Sequence, residues 1–400
     1  MTTHPAARDD VVVIGAGPAG VYAAYLLARE GLRVRVLEEH ERVGDPVHCT
    51  GILGVEAFAL PGLTRDAVLR EVHVGRFHSP AGHRFDYTGP EGEVCVVDRR
   101  AFDRGLARSA ADAGALIATR ARAVGLDVGR NGVAVRAHVA GRARTLTARI
   151  CLLACGARYR LQRALGWGVP PLLFSSAQTE LGAAPAEALD VFLRPDAAPG
   201  GFAWLVPVTR EDRPCAKVGV MAQRSPARAL DRLLGELRAA GRVSGPAGPV
   251  VMRPLPLGPL PRTYGDRALA IGDAAGLVKP TTGGGIYYSL LSAGWAAETL
   301  RLAFERGDFS AAALAGYEES WRTHLGAEIA VGVWFRWIVA RLSPSDLDAL
   351  ARLALTDGLM PVVRASARFN WHRELILQSL KHPGVLRVVL PRLVVAGGAR

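Results

Sequence analysis

Lysine is nearly absent from this chain. It stands only at positions 217, 279 and 381, so arginine carries the formal net charge of +12. Arginine keeps its charge at any physiological pH, and its planar fork suits phosphates, acidic partners or an anionic lipid surface. The arginines are scattered and no nucleic-acid motif accompanies them, so nucleic acid is not an expected partner. Cysteine is scarce too. The five, at 49, 95, 151, 155 and 215, are odd in number and fit no zinc spacing. A disulfide scaffold or a metal module is therefore not expected, and a reduced, cytoplasmic setting is. The opening MTTHPAARDD holds no apolar signal core. Residues 11–28 lack charge over 18 positions, close to the length of a membrane span, but three glycines and a proline interrupt them. No transmembrane segment is expected, and there is no internal repeat or low-complexity tract.

What is present is a globular composition, 50% hydrophobic and 22% charged over 400 residues, long enough for two or three domains. One stretch organises the rest. Residues 11–14 are four apolar β-formers, broken at Gly15. The pattern Gly15-x-Gly17-x-x-Gly20 then opens a helix, and residues 34–37 form a second strand that delivers Glu38. Gly15 permits the tight turn, Gly17 lets the backbone approach a pyrophosphate, and Gly20 lets helix and strand pack closely. The helix N-terminus offers N–H groups to phosphate, and Glu38 stands where an acid accepts ribose hydroxyls. This motif alone does not separate FAD from NAD.

Further along, the turn-rich segment 44–51 is no core element, and 71–78 and 83–97 read as short strands around Ser79-Pro80-Ala81-Gly82. Residues 99–113 make an amphipathic helix with Phe102, Leu106 and Ala110 on one face. A hairpin turning at Asn131-Gly132 follows, then a buried strand at 150–154. From about 160 to 262 the pattern becomes irregular strands with one helix near 226–240. A strand at 268–271 and a helix from about 284 to 305 return to the first pattern, and 325–400 reads as mostly helical, with a capped start at Ser343-Pro344-x-Asp346. The resulting fold class is α/β: a Rossmann-type dinucleotide domain from residues 1–70, 95–160 and 262–325, an inserted mixed β-sheet substrate domain from 71–94 and 161–261, and a helical region from 326–400.

The stretch from Gly272-Asp273 to Gly283-Gly284-Gly285-Ile286 is the most informative. A strand delivers Asp273, which can hold a sugar-alcohol hydroxyl, and a glycine-rich bend starts a helix whose N–H groups can face a flavin's pyrimidine edge. Together with Gly15–Gly20 and Glu38, Pro46-Val47-His48-Cys49-Thr50-Gly51, and Asp98-Arg99-x-x-Phe102-Asp103, it resembles the FAD-dependent geranylgeranyl reductase family, within the wider flavin hydroxylase-like folds. Residues 199–207, PGGFAWLVP, resemble that family's PxxYxWxFP stretch, with Phe202 and Val206 in place of Tyr and Phe. The resemblance runs from about residue 10 to 325. It implies FAD contacts at Gly15, Gly17, Ala19, Gly20, Glu38, Cys49, Arg99, Val124, Asp273, Gly285 and Ile286. Lys279 is either a phosphate or flavin neighbour or, by slight preference, a solvated charge.

The reaction so implied is hydride transfer from reduced FAD to double bonds of a polyprenyl chain. An isolated alkene accepts hydride poorly, so a proton donor must act as well. Cys49 and the adjacent His48 are the candidates, and the residues leave the choice open. Cys151 and Cys155 look structural. Phe202 and Trp204 line an apolar groove or belong to an ordinary core. No second GxGxxG occurs, so NADPH or a ferredoxin-like electron donor would dock transiently. A prenyl substrate points to the cytoplasm with peripheral membrane contact. Residues 331–342 and 372–400 would provide that contact, or else pack as helices over the substrate domain. Three rivals come into view: a flavin monooxygenase, a non-catalytic prenyl-lipid-binding flavoprotein, and a halogenase. The last needs a reactive lysine between flavin and substrate, and no lysine precedes 217, so that reading is set aside.

Overall fold

The computed structural model describes residues 9–195, 198–356 and 358–397. The first eight residues of the N-terminal stretch, and residues 398–400 of the basic-apolar end, lie outside them.

Val11, Val12 and Val13 are fully buried and Ile14 nearly so, as a strand sandwiched between helices must be. Their strand, Asp9–Ile14, runs parallel to Val34–Leu37 on one side and Arg142–Leu153 on the other, with Val11 level with Val34 and Ile150. Leu116–Ala118 and Ala268–Ala270 extend the parallel sheet outward. An antiparallel ribbon of Ala121–Gly129 and Gly132–Val139 grows from Arg142–Leu153, turning at Asn131. Helix α1 (Pro18–Arg29) makes the first crossover, and α2 (Arg99–Asp112) packs on it, burying Phe102, Leu106 and Ala110. A single turn, α3 (Arg160–Ala164), follows the sheet.

The second sheet is mostly antiparallel. Leu173–Ala183, Arg213–Ala222, Phe202–Arg210 and Leu189–Phe192 form its middle, and Val74–His78 joins parallel to Leu189–Phe192, bringing in Arg84–Thr88. Alternation along these strands sorts two faces. Ala177, Val218 and Val220 meet Leu230, Leu233, Leu234 and Leu237 of α4 (Pro226–Ala239). The other face carries Gln178, Phe202, Trp204 and Lys217 toward the first sheet. A small sheet of Ile52–Gly54, Val94–Val97 and Val68–Glu71 sits between the two.

Helix α5 (Ile286–Arg306) packs against α1, and α6 (Ala311–Val339) against α5. The expected boundary at 325/326 therefore falls inside one unbroken 29-residue helix, which ties the C-terminal region to the nucleotide fold. Then come α7 (Pro344–Leu355), α8 (Met360–Ser366), α9 (Arg373–Lys381) and α10 (Pro383–Gly397). The start of α7 is the expected capping box, Ser343 and Asp346 each bonding the other's backbone.

Candidate active site

A cavity of about 1090 Å³ runs between the two sheets, from the glycines after the first strand to the C-terminal helices. At one end Gly15, at φ +107°, turns the chain so that Gly17 begins α1 with no side-chain cap. A Cβ on Gly15 would lie 2.3 Å from the carbonyl of Ala154, and one on Gly20 only 2.0 Å from that of Gly15, whereas Gly17 has nothing within 4 Å. Gly15, Gly17 and Ala19 line the cavity; Gly20 does not, and acts by letting α1 close on the turn. Glu38 lines it too, with its carboxylate fixed by the N–H of Ala16 at 3.0 Å and the N–H of His40 at 2.9 Å. His40, which sequence reasoning missed, also places Nδ1 2.6 Å from Glu38.

Val124 is a correction. The ribbon's register slips between Arg136 and Ala137, so Val124 is the unpaired residue of a bulge and Ala123, not Val124, lines the cavity.

The 46–51 loop forms the central wall. Arg99, from the first turn of α2, makes a bidentate pair with Asp103 at 3.0 and 2.9 Å and touches the Cys49 sulfur, which also accepts the N–H of Gly51 at 3.4 Å. Burial works against the Arg99 charge, but the Asp103 carboxylate prevails and holds its pKa above the ordinary value. From below, Lys217 donates to the carbonyl of Thr50 at 2.7 Å, and Gln178 accepts from the Thr50 hydroxyl at 2.9 Å. Burial draws the Lys217 pKa down to about 8. His48 accepts a bond from Arg253 through Nε2 while its Nδ1 is buried without a partner. Burial and the Arg253 charge lower its pKa to about 3, so His48 is a neutral acceptor there and not an imidazolium acid at neutral pH. Cys155, expected to be structural, lines the cavity beside Ala154.

Opposite the 46–51 loop, Asp273 lies in the short 3-10 turn Gly272–Ala275 that follows the strand Ala268–Ala270, and it faces Gly285, where α5 begins without a side-chain cap. Burial raises the Asp273 pKa to about 6, with the Arg99 charge acting the other way. Gly285 and Ile286 line the cavity, so two uncapped helix N-termini open on one space. Lys279 is the second correction. It is no solvated charge but 4% exposed, donating to Phe369 O at 3.0 Å and Asn370 Oδ1 at 2.9 Å, with Nζ 3.8 Å from the Phe369 ring centre. Burial brings its pKa to about 7, against the pull of Glu56, Glu328 and Glu93. The partner segment 369–372 comes from the region the resemblance did not reach. Its His372 pairs with the Thr281 hydroxyl and lines the cavity. Buried Arg336 of α6 ties Gly200, Pro280 and Thr281 together through their carbonyls. No local signal marked these residues, apart from the rarity of lysine, two of whose three occurrences are buried.

The far end is apolar. Phe202 and Trp204, rings 5.7 Å apart, project from the second sheet beside Leu255, with Trp204 Nε1 buried and unpartnered. Beyond them Phe335, Ile338, Leu342, Leu375 and Val389 continue the lining. The expected groove residues are thus brought together with the glycine-rich elements, Cys49, Arg99 and Asp273. Among the described residues no cluster of metal-ligating side chains occurs. The uncapped termini, the open space over Gly17 and the fixed Glu38 carboxylate fit a flavin dinucleotide laid from α1 to α5.

Comparison with known proteins agrees. The pyridine nucleotide-disulphide oxidoreductase family model matches residues 9–176. The digeranylgeranylglycerophospholipid reductase 2 of Methanopyrus kandleri is 31% identical, over 89% of this chain and 92% of that protein. Among solved structures, a geranylgeranyl bacteriochlorophyll reductase-like protein from Thermoplasma acidophilum superposes with a TM-score of 0.83 at 24% identity, covering 96% of this chain and 99% of the other. The FAD complex of the halogenase PltM shares the fold at a TM-score of 0.67 and 16% identity, covering 96% and 88%. The chain is an FAD-dependent oxidoreductase and belongs to the geranylgeranyl reductase family.

Proposed function

We propose that this protein reduces carbon–carbon double bonds in a geranylgeranyl or longer polyprenyl chain. The observation that carries the reading is one cavity with two uncapped helix N-termini at one end and side chains such as Phe202, Trp204, Ile338 and Leu375 at the other. FAD, when bound, supplies the hydride. Gly15, Gly17, Ala19 and Glu38 would hold its adenosine and pyrophosphate part, with Gly20 shaping the turn. Asp273, Gly285, Ile286, Cys49 and Arg99 would hold the flavin end. Cys49 is the better proton donor of the two candidates, because His48 is neutral and held as an acceptor. The second-sheet strands and the C-terminal helices exclude water and align the chain. Burying about twenty apolar carbons is worth on the order of 10 kcal/mol, so an apolar slot alone binds such a chain firmly. In domain terms, residues 1–70, 95–160 and 262–325 would carry the cofactor and 71–94 with 161–261 the substrate. The residues after 326 would close the slot. The electron donor, NADPH or a ferredoxin-like carrier, would dock transiently.

Anaerobic incubation with dithionite and a geranylgeranyl lipid tests this. Substrate mass should rise by about two units for each reduced bond, as hydride plus proton adds across it. No gain would refute the reading, and a product formed only with oxygen would mark a monooxygenase instead.

A further inference from the structure

The apolar lining of the cavity continues onto the outside of the protein. In α6, Phe335, Ile338 and Val339 face the cavity. At about 100° per residue, Trp334 and Trp337 fall on the adjoining arc, where they are 39% and 36% exposed. In α10, Val385 and Val389 face inward at 5% and 4% exposure, while Leu386 and Leu390, the next residues round, are 39% and 52% exposed. Ile338, Leu342, Leu347, Val385 and Val389 form one buried cluster, so α6, α7 and α10 meet there. A helix that is apolar on its inner and outer sides is at rest only with apolar material on both.

The exposed charge around this face is mainly positive. Arg341, stacked on Trp337 at 3.7 Å, together with Arg364, Arg368, Lys381 and Arg387, is exposed. Glu374 on α9 is an exposed acid, bonded to Gln378, while two others are engaged inside the protein: Asp346 in the α7 cap and with Arg392, and Asp348 with the N–H of Ala81. Exposed tryptophan and leucine flanked by unneutralised arginine is the chemistry of an anionic lipid surface. No described helix is long and apolar enough to cross a membrane, so the contact is an interfacial one.

We propose that Trp334 and Trp337 of α6, with Leu386 and Leu390 of α10 and the flanking arginines, seat the protein on an anionic bilayer, and that the apolar chain enters between these helices. The seating stands on the surface alone; the entry of a chain rests on the reductase reading.

Co-sedimentation with vesicles of phosphatidylcholine, or of phosphatidylcholine mixed with phosphatidylglycerol, tests it on the flavin-loaded full chain. Binding should favour the anionic vesicles and weaken with salt. Changing Trp334→Ser, Trp337→Ser, Leu386→Ser and Leu390→Ser together should cut the partition coefficient about tenfold or more. The milder pair Arg341→Gln and Arg387→Gln, which leaves all four apolar side chains in place, should cut it about thirtyfold on anionic vesicles. Met252→Ser, exposed at 51% on a different edge, should change nothing. Absence of binding, binding that survives both sets, or a fourfold variant that merely turns a dimer into a monomer would overturn the proposal. Reduction of detergent-dispersed substrate should be unaffected by the arginine pair. If wild type fails to reduce it, the reductase reading falls while the seating is still judged by the vesicles.

Discussion

Two alanines, three residues apart, should fail in opposite ways. At Gly17 the backbone sits at φ −72°, ψ 175°, which any residue adopts, and a methyl group there meets nothing within 4 Å. Losing the glycine as helix cap costs about 0.5–1 kcal/mol, the difference between alanine and glycine at that position. Reducing the freedom of the unfolded chain returns about 0.4–1 kcal/mol. The apoprotein of Gly17→Ala should therefore melt within a degree or two of wild type, since about 1 kcal/mol moves Tm by only a few degrees in a chain of this size. The same methyl fills the space through which a pyrophosphate reaches the first N–H groups of α1. Losing that approach removes charge-assisted bonds of about 1.5–3 kcal/mol each, so FAD affinity should fall by at least about tenfold.

Gly20→Ala is the converse. Its methyl would sit 2.0 Å from the Gly15 carbonyl oxygen and 3.1 Å from the Ala154 methyl, so helix and turn must part by about 1 Å. Overpacking of this kind costs about 1–3 kcal/mol or more, and the apoprotein itself should lose stability. Thermal melts of flavin-stripped protein, paired with flavin titration followed by the change in flavin fluorescence, separate the two. A Gly17→Ala protein that binds FAD as wild type does, or a Gly20→Ala apoprotein of unchanged Tm, would refute the assignment of these glycines.

Three further outcomes are expected. Lys279 has a folded pKa near 7 against an ordinary 10.5, so the unfolded chain binds more protons between those values. Its burial penalty is full below about pH 7 and relieved as pH rises toward 10.5; denaturant melts should show stability rising across that window in wild type and rising less in Lys279→Met. Cys49→Ala should lower double-bond reduction by about 10²–10⁴-fold if it relays the proton while the protein stays yellow; His48→Gln, which removes only an acceptor, should lower it far less, and equal losses would contradict the roles given. Trp204→Phe removes a buried N–H that has no partner, so its lost packing should be partly offset and apoprotein stability should drop by less than about 2 kcal/mol. KM for a lipid substrate should rise meanwhile, and unchanged KM would remove Trp204 from the groove.

The parts of this molecule readable from its sequence are those whose physics is local. Four buried β-formers, a glycine spacing and a terminal acid sit within thirty residues, so strand, turn, α1 and Glu38 could be read without tertiary information. Asp273 and the glycines before α5 were readable for the same reason. Val124 was misplaced because one register slip in the ribbon, invisible in the alternation of Ala121–Gly129, moves the lining by one residue. Lys279 was misjudged because the segment that buries it lies some ninety residues on, at Phe369 and Asn370. The C-terminal helices posed a different difficulty: VGVWFRWIVARL reads alike whether its apolar side meets a core, a ligand or a lipid. In the structure Ile338 meets the cavity, Trp337 the outside, and Arg336 the carbonyls of the 280–281 turn.

The lysines also bear on why a fold shared with halogenases need not share their chemistry. A lysine that carries reactive halogen must present an unencumbered amine between flavin and substrate. Lys381 is exposed on α9, and Lys217 does not line the cavity at all, being turned onto the carbonyl of Thr50. Lys279 does line it, but its Nζ donates to two acceptors and lies against an aromatic face. Freeing that amine would leave Phe369 O and Asn370 Oδ1 short of a donor, at about 1–3 kcal/mol for each group left buried. Both inner lysines thus serve as fasteners, one under the 46–51 loop and one behind the 280–285 turn. They hold the two walls on either side of the flavin position in fixed relation, as transfer to an unactivated double bond demands.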